Sequence, residues 1–341
     1  MYYFYRMKIF ITGATGLVGS HIAYYLLTKG YAVRALRRSA SSLKTTQAVF
    51  ACYDNGTTLF NQIEWVDGDT TDYYSIEENL EGIDMVYHAA ALISYWPREF
   101  AQMEKINVEG TANIVNACLY KGIKKLVFVS SAAALGHDVH TRVYDEKTPW
   151  KQSTFVTHYG ISKYNAEREV WRGVEEGLDA VIVNPVVVLG PGDWTKGSSE
   201  IITSIDKGLK FYSNRITGFV DARDVAQATI QLMDSGIKNE RFVLCAENVV
   251  WKDIFAQIAN ALGKKGPSIK APEGPLVNVV ILLGKIKSAI TGKRPFLTAD
   301  SVKNAQVDQE FSSAKIKKAI GYEFIPVADS INHAVKAYKA T

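Results

Sequence analysis

The run Thr12-Gly-Ala-Thr-Gly-Leu-Val-Gly19 sets glycines at positions 13, 16 and 19. Ahead of it lies a short apolar segment, KIFIT, at residues 8–12. Behind it, residues 17–29 (LVGSHIAYYLLTK) carry apolar side chains at helical spacing, and Gly30 ends them. A strand must therefore pass abruptly into a helix. Glycine permits the tight turn and lets main chain come close to whatever lies above it. The first N–H groups of such a helix have no intrahelical partners and sit at the positive end of the helix dipole. The order strand, glycines, helix thus predicts a cradle for a dinucleotide pyrophosphate, with Gly13, Thr15, Gly16, Leu17, Val18 and Gly19 closest to it. The competing reading is a glycine-rich turn with no ligand, and the flanking elements weigh against it.

The rest of the chain alternates in the same manner. Residues 32–36, 63–66, 85–87, 126–129 and 180–183 are apolar runs of strand length, and helical patterns at about 99–121 and 159–176 separate the later ones. This rhythm predicts an α/β fold with a doubly wound parallel Rossmann-type sheet, its strands buried on both faces. After Pro185 the rhythm changes. Gly190-Pro-Gly-Asp193 signals a loop, followed by helical segments near 199–207, 223–235, 252–262 and 326–339 with short strands between. The expected division is residues 1–190 as the dinucleotide-binding domain and 191–341 as a smaller, mostly helical substrate lobe, parts of which return to the sheet. Residues 40–62 read only as a longer surface excursion.

Several function classes recede on bulk properties. A net charge of +4, with Lys and Arg scattered over 341 residues, gives no footprint for nucleic acid. Cys52, Cys118 and Cys245 are far apart and odd in number, so neither a disulfide framework nor a metal site is expected. The apolar run at 277–283 is too short to span a bilayer, and the N-terminus lacks a signal-peptide pattern, which leads us to expect a cytoplasmic protein with no membrane partner. Met7, just before the first strand, is an alternative start to Met1.

A second motif carries the chemistry. His158-Tyr-Gly-Ile-Ser-Lys163 places a tyrosine four residues before a lysine, so on a helix both share a face. With the glycines and in this order, the chain also has Asp69 and Thr70 in GDTTD, His88-Ala89-Ala90-Ala91, Asn107 in NVEGT, Ser130-Ser131, Asn184-Pro185 with Gly190-Pro191, and FVDARDVA at 219–226. Together these pieces resemble the short-chain dehydrogenase/reductase family in its extended branch, the epimerase/dehydratase superfamily. The nearest members in pattern are the dihydroflavonol 4-reductase-like and 3β-hydroxysteroid dehydrogenase-like ones.

The resemblance implies that Tyr159 and Lys163 are catalytic. Moving a phenol from about 10 to near 7 takes about 4 kcal/mol, which one ammonium at roughly 4 Å supplies at an effective dielectric of about 20. Lys163 is therefore expected to tune Tyr159 and, by resemblance, to hold the nicotinamide ribose. Ser131, chosen over Ser130 by the SSxxxxG pattern, is expected to hold a substrate oxygen. Asn107 either supports the catalytic site or is structural. By resemblance Asp69 and Thr70 contact the adenine, and Ala89, Ala90, Ala91 and Pro185 line the cofactor. His88 reads as a packing residue, and Asp221 and Asp224 as helix-capping or Arg223-pairing groups.

The second strand ends Val33-Arg-Ala-Leu-Arg-Arg-Ser39, without the acidic residue that would hold ribose hydroxyls. Arginine there suits a 2′-phosphate, and Arg38 matches the position used by NADPH-dependent reductases, with Lys44 near a second basic position. NADP(H) is favoured and NAD(H) stays open. The expected function is NADP-dependent carbonyl reduction or alcohol oxidation of a small, apolar substrate. The main alternative is a nucleotide-sugar epimerase or dehydratase with tightly held NAD. Such enzymes commonly carry a tyrosine in SSxxVYG and an aromatic-Asn-Val-Tyr run, where this chain has Leu135 and Val186-Val-Val-Leu189. A third reading, a non-catalytic NADP-sensing regulator, is disfavoured because the Tyr/Lys pair is intact. Trp96, Trp194, Phe211 and Tyr212 are candidates for an apolar pocket or for core. Monomer and homodimer are both open.

Overall fold

The computed structural model describes residues 7–137, 141–151, 153–271, 281–282, 288, 298–305 and 307–341. In chain order the first half contains β1 (Lys8–Thr12), α1 (Leu17–Thr28), β2 (Ala32–Arg37), α2 (Lys44–Ala51), α3 (Gly56–Phe60), β3 (Glu64–Asp67), α4 (Tyr73–Asn79), β4 (Met85–His88), α5 (Phe100–Glu104), α6 (Gly110–Lys121) and β5 (Lys125–Val129). The second half continues with β6 (Val143–Tyr144), α7 (His158–Glu175), β7 (Ala180–Pro185), β8 (Val187–Leu189), α8 (Glu200–Asp206), β9 (Phe211–Tyr212), β10 (Ile216–Asp221), α9 (Ala222–Asp234), β11 (Glu240–Leu244), β12 (Glu247–Val250) and α10 (Trp251–Leu262). Helices at Ala299–Ala305, Ala314–Ile320 and Val327–Lys339 follow.

Seven parallel strands form the main sheet in the order β11-β7-β5-β4-β1-β2-β3. The order reverses between β1 and β4, which opens a crevice at the carboxyl edge of the sheet. Side chains alternate across the pleat. Ile9, Ile11, Val127, Val181 and Val183 face the layer of α1 and α9. Phe10, Val86, Leu126, Phe128 and Ile182 face the layer of α4, α6 and α7. Both faces are therefore core, and β5 and β7 are buried along their whole lengths. This is why their sequences read as unbroken apolar runs. The exception proves instructive: Lys125 is buried in β5, and its ammonium donates to the carbonyls of Leu232, Met233 and Ser235 at the C-terminal end of α9. A cation there satisfies orphan carbonyls and the negative end of the dipole.

The chain beyond residue 190 is divided between the two parts. β10, β12 and β8 form a small sheet, and α8, α10 and the helix at Val327–Lys339 bury a separate cluster around Phe219, Ile254, Ile258 and Ile331. β11 returns to the main sheet as its edge strand, and α9 packs on α1. Residues 40–62 hold α2 and α3. Tyr53 from this segment stacks on Tyr24 of α1 at 4.0 Å and hydrogen-bonds the buried His21.

Candidate active site

The glycine turn is shaped by close approach. Gly13 has φ +75°, and a Cβ there would lie 2.6 Å from the backbone of Ala89 and Ala90. On Gly19 a Cβ would lie 2.2 Å from the Gly13 carbonyl oxygen. No larger residue fits either position, so the turn stays flush with the sheet edge. Gly16 is exposed and stands at the N-cap of α1 with no side chain capping the helix. Thr15, Leu17 and Val18 flank it, partly exposed. The first N–H groups of α1 therefore face open space above β1, a cradle that fits a pyrophosphate. Ala89 and Ala90 form the facing wall, and Ala91 is exposed beside them. His88 lies beneath: its ring nitrogens meet Thr12 Oγ1 at 2.6 Å and Thr111 Oγ1 at 2.9 Å, and it packs against Phe128. Burial lowers its pKa to about 3, so it is a neutral tie between β1, β4 and α6.

To one side, a cavity of about 420 Å³ is lined by Arg38, Asp69, Thr71, Gln102, Lys105 and Ile106, among others. Three arginines leave β2 and differ in commitment. Arg34 is bonded to Glu64 and Arg37 to Asp67. Arg38 is exposed, opens on the cavity, and has no ion-pair partner among the described residues. Asp69 holds Thr71 through its N–H and hydroxyl, both at 2.9 Å. Lys44 begins α2, is exposed, and is not part of this cavity wall. Thr70 is buried against Gly110, and its carbonyl accepts from Asn113 of α6. Sequence reasoning missed Thr71, Gln102 and Lys105; Thr71 lies in GDTTD but was passed over for Asp69 and Thr70, while Gln102 and Lys105 belong to no motif and only the fold brings them to Arg38.

On the other side of β1, Ser130 and Ser131 follow the end of β5, and α7 presents Tyr159 in its first turn. Thr157 caps α7 by accepting from Gly160 N–H at 3.0 Å. The Ser131 hydroxyl accepts from Ala133 N–H at 3.2 Å and acts on the Tyr159 phenol, lowering its pKa. Asn107 sits in a π-helical turn, Lys105–Glu109, and is buried. Its amide bonds both backbone groups of Leu92, at 2.7 and 3.0 Å, and the Ser162 hydroxyl at 2.9 Å. It thereby ties α7 to the segment after β4. Pro185 ends β7 at the same sheet edge.

The expected electrostatic coupling of Lys163 to Tyr159 is absent from this arrangement. Lys163 is buried, donates to the Val129 carbonyl at 2.9 Å, and lies 4.3 Å from the Phe128 ring centroid. With the ammonium turned that way, burial pushes the Tyr159 phenol up, and the neighbouring Ser131 hydroxyl is what pulls it down. Lys163 is itself lowered to about 7 by burial, opposed by Glu167. Asp221 does cap α9 and pair with Arg223 at 2.7 Å, while Asp224 accepts from Tyr322 and Ile325 N–H. Trp194 packs in the lobe core against Tyr338, and Phe211 is exposed on β9.

A pyrophosphate cradle at the sheet's switch point, with Ser131, Tyr159 and Lys163 beside it, defines an NAD(P)-dependent enzyme of the extended short-chain dehydrogenase/reductase type. Residues 9–245 match the model of the NAD dependent epimerase/dehydratase family, and the chain belongs to that family. It is 29% identical to cinnamoyl-CoA reductase 1 of Petunia hybrida, over 96% of this chain and 90% of the relative. It is 29% identical to dihydroflavonol 4-reductase of Arabidopsis thaliana, over 78% and 72%. The crystal structure of gox2253 is similar at 30% identity, TM-score 0.80 and 98% of both chains. UDP-glucose 4-epimerase of Thermotoga maritima shares the fold at 19% identity, TM-score 0.77, over 98% and 99%. Among the described residues, no helix is long and apolar enough to cross a membrane, and no cluster of three or more His, Cys, Asp or Glu could hold a metal.

Proposed function

We propose that the chain is an NADP-dependent oxidoreductase that interconverts a small, apolar carbonyl compound and its alcohol. The observation that carries the reading is Arg38: exposed at the end of β2, without a partner among the described residues, and facing the cavity that Asp69 also lines. β2 itself ends in Arg37-Arg38-Ser39, with no carboxylate of its own to repel a 2′-phosphate. The reductase relatives support the reaction class.

A bound reduced nicotinamide would supply hydride to the carbonyl carbon. The residues of this chain do the rest. Ser131 holds the carbonyl oxygen by its hydroxyl, and Tyr159 Oη donates the proton that completes the alcohol. Lys163 would hold the ribose hydroxyls of that cofactor in place of the Val129 carbonyl to which it now donates. Ala133, Phe155 and Val156 give the wall near Tyr159 its apolar character, with His137 set among them.

The nucleotide-sugar reading requires cations for a second pyrophosphate, and the arginines among the lobe's described residues are committed. Arg215 pairs with Asp308, Arg223 with Asp221, and Arg241 with Glu167 and the Glu146 carbonyl. Arg294 lies outside the described residues. The test is NADPH oxidation with aldehydes and ketones of graded size, beside melting shifts with UDP- and GDP-sugars. Turnover with an apolar carbonyl supports the proposal. No turnover with any carbonyl, together with a clear shift from a nucleotide sugar, overturns it in favour of the epimerase.

A further inference from the structure

The mechanism leaves one buried carboxylate unused. Glu167 lies on α7 one turn beyond Lys163, so the two side chains share a face. Both are about 1% exposed. Glu167 Oε1 accepts from Asn184 Nδ2 at 2.5 Å, and Oε2 faces Arg241 Nη1 of the edge strand β11 at 3.4 Å. The same Asn184 amide nitrogen donates to the Ser131 carbonyl at 3.0 Å. A continuous polar chain therefore runs from Arg241 through Glu167 and Asn184 to the backbone of Ser131.

We propose that Glu167 is a positioning residue of this site: it is the buried counter-charge of the Lys163 ammonium, and through Asn184 it fixes the Ser131 backbone. An acid confined this far from water survives in ionised form only when its oxygens are satisfied. Burial raises its pKa, and Ser130, Arg241, Asn184 and Lys163 each pull it back. Among the described residues, the other titratable and charged groups about Lys163 offer no negative charge. His88 from β4 is neutral, Tyr159 is a protonated phenol, and Arg241 is a cation that acts from behind Glu167. Val129 and Phe128 of β5 contribute a carbonyl dipole and a ring face. Glu167 is accordingly the group that keeps Lys163 charged before it turns to the ribose. Arg241, more than seventy residues away in sequence, keeps Glu167 charged in turn.

The inference rests on Lys163 serving the proposed reaction, but its test does not need turnover. Label lysine with ¹³C at Cε, assign Lys163 by its loss in a Lys163→Met variant, and titrate it in wild type, Glu167→Gln and Arg241→Gln. The proposal expects the Lys163 titration to move to lower pH in both variants, by about one unit or more in Glu167→Gln, a tenfold loss of proton affinity. Glu167→Asp, which keeps the charge, should restore most of it. Where carbonyl turnover is measurable, the alkaline limb of kcat should move the same way. A Lys163 titration unchanged in Glu167→Gln and Arg241→Gln, with melting temperatures merely lowered, overturns the proposal and leaves Glu167 a packing residue. If no carbonyl is turned over while the Lys163 titration moves as expected, the reductase reading fails and this inference stands.

Discussion

Replacing Lys163 by methionine should stabilise the protein at neutral and acidic pH and destabilise it at high pH. The ammonium is buried and its pKa falls from 10.5 to about 7. A base whose folded pKa is depressed binds its proton more weakly in the native state. Between about pH 7 and 10.5 the unfolded chain carries the proton and the folded chain does not, so stability rises with pH through that window. Below about pH 7 the charged lysine costs the fold its full penalty, about 5 kcal/mol at 1.36 kcal/mol per pH unit. Methionine removes that penalty. It also leaves the Val129 carbonyl without its donor, which costs about 1–3 kcal/mol. The balance is a gain of about 2–4 kcal/mol at pH 6, crossing zero near pH 9 and turning to a loss beyond. Urea unfolding of both proteins at half-unit steps from pH 6 to 10 reads this directly. A Lys163→Met protein that is less stable at pH 6, with a difference that does not change with pH, would refute the reasoning.

Two further outcomes follow from the site. Tyr159→Phe should abolish carbonyl reduction, by a factor of 10² or more, while NADPH affinity stays within a few-fold, because the ring persists and only the proton donor is lost; calorimetric binding beside initial rates decides it. Gly13→Ala should cost both stability and cofactor affinity, because a left-handed φ and a backbone contact of 2.6 Å leave its Cβ no room; a melting temperature and NADPH affinity equal to wild type would show that the turn is looser than described.

How much of this was legible beforehand depends on the length scale of each signal. The turn at Gly13–Gly19, the alternating strands and the pairing of Tyr159 with Lys163 are local patterns, and their placement follows from periodicity. Helices expected at 159–176, 223–235 and 252–262 lie within a residue of α7, α9 and α10. The segment 40–62 gave no assignment because α2 and α3 are short, eight and five residues, and gain their order from packing on α1. A return of part of the chain beyond 190 to the sheet was expected, but that the part is β11, paired with β7 across some sixty residues, is not contained in a pattern read along the chain. The direction of the Lys163 ammonium was hidden for the same reason. Helical spacing places Lys163 beside Tyr159, but the carbonyl of Val129 and the ring of Phe128, on a different element, decide where the charge rests. Arg38 was picked from three similar arginines by resemblance alone, and the pairing of Arg34 and Arg37 with β3 carboxylates adds a physical reason that the sequence did not hold.

The central claim, that the chain serves NADP rather than NAD, is tested most directly by titrating wild type and Arg38→Ala with NADPH and NADH at two salt concentrations. The account predicts that wild type binds NADPH at least tenfold more tightly, that the preference weakens at high salt, and that Arg38→Ala loses most of it while its NADH affinity hardly changes. Equal affinities in wild type, or an NADPH affinity untouched by Arg38→Ala, would contradict it.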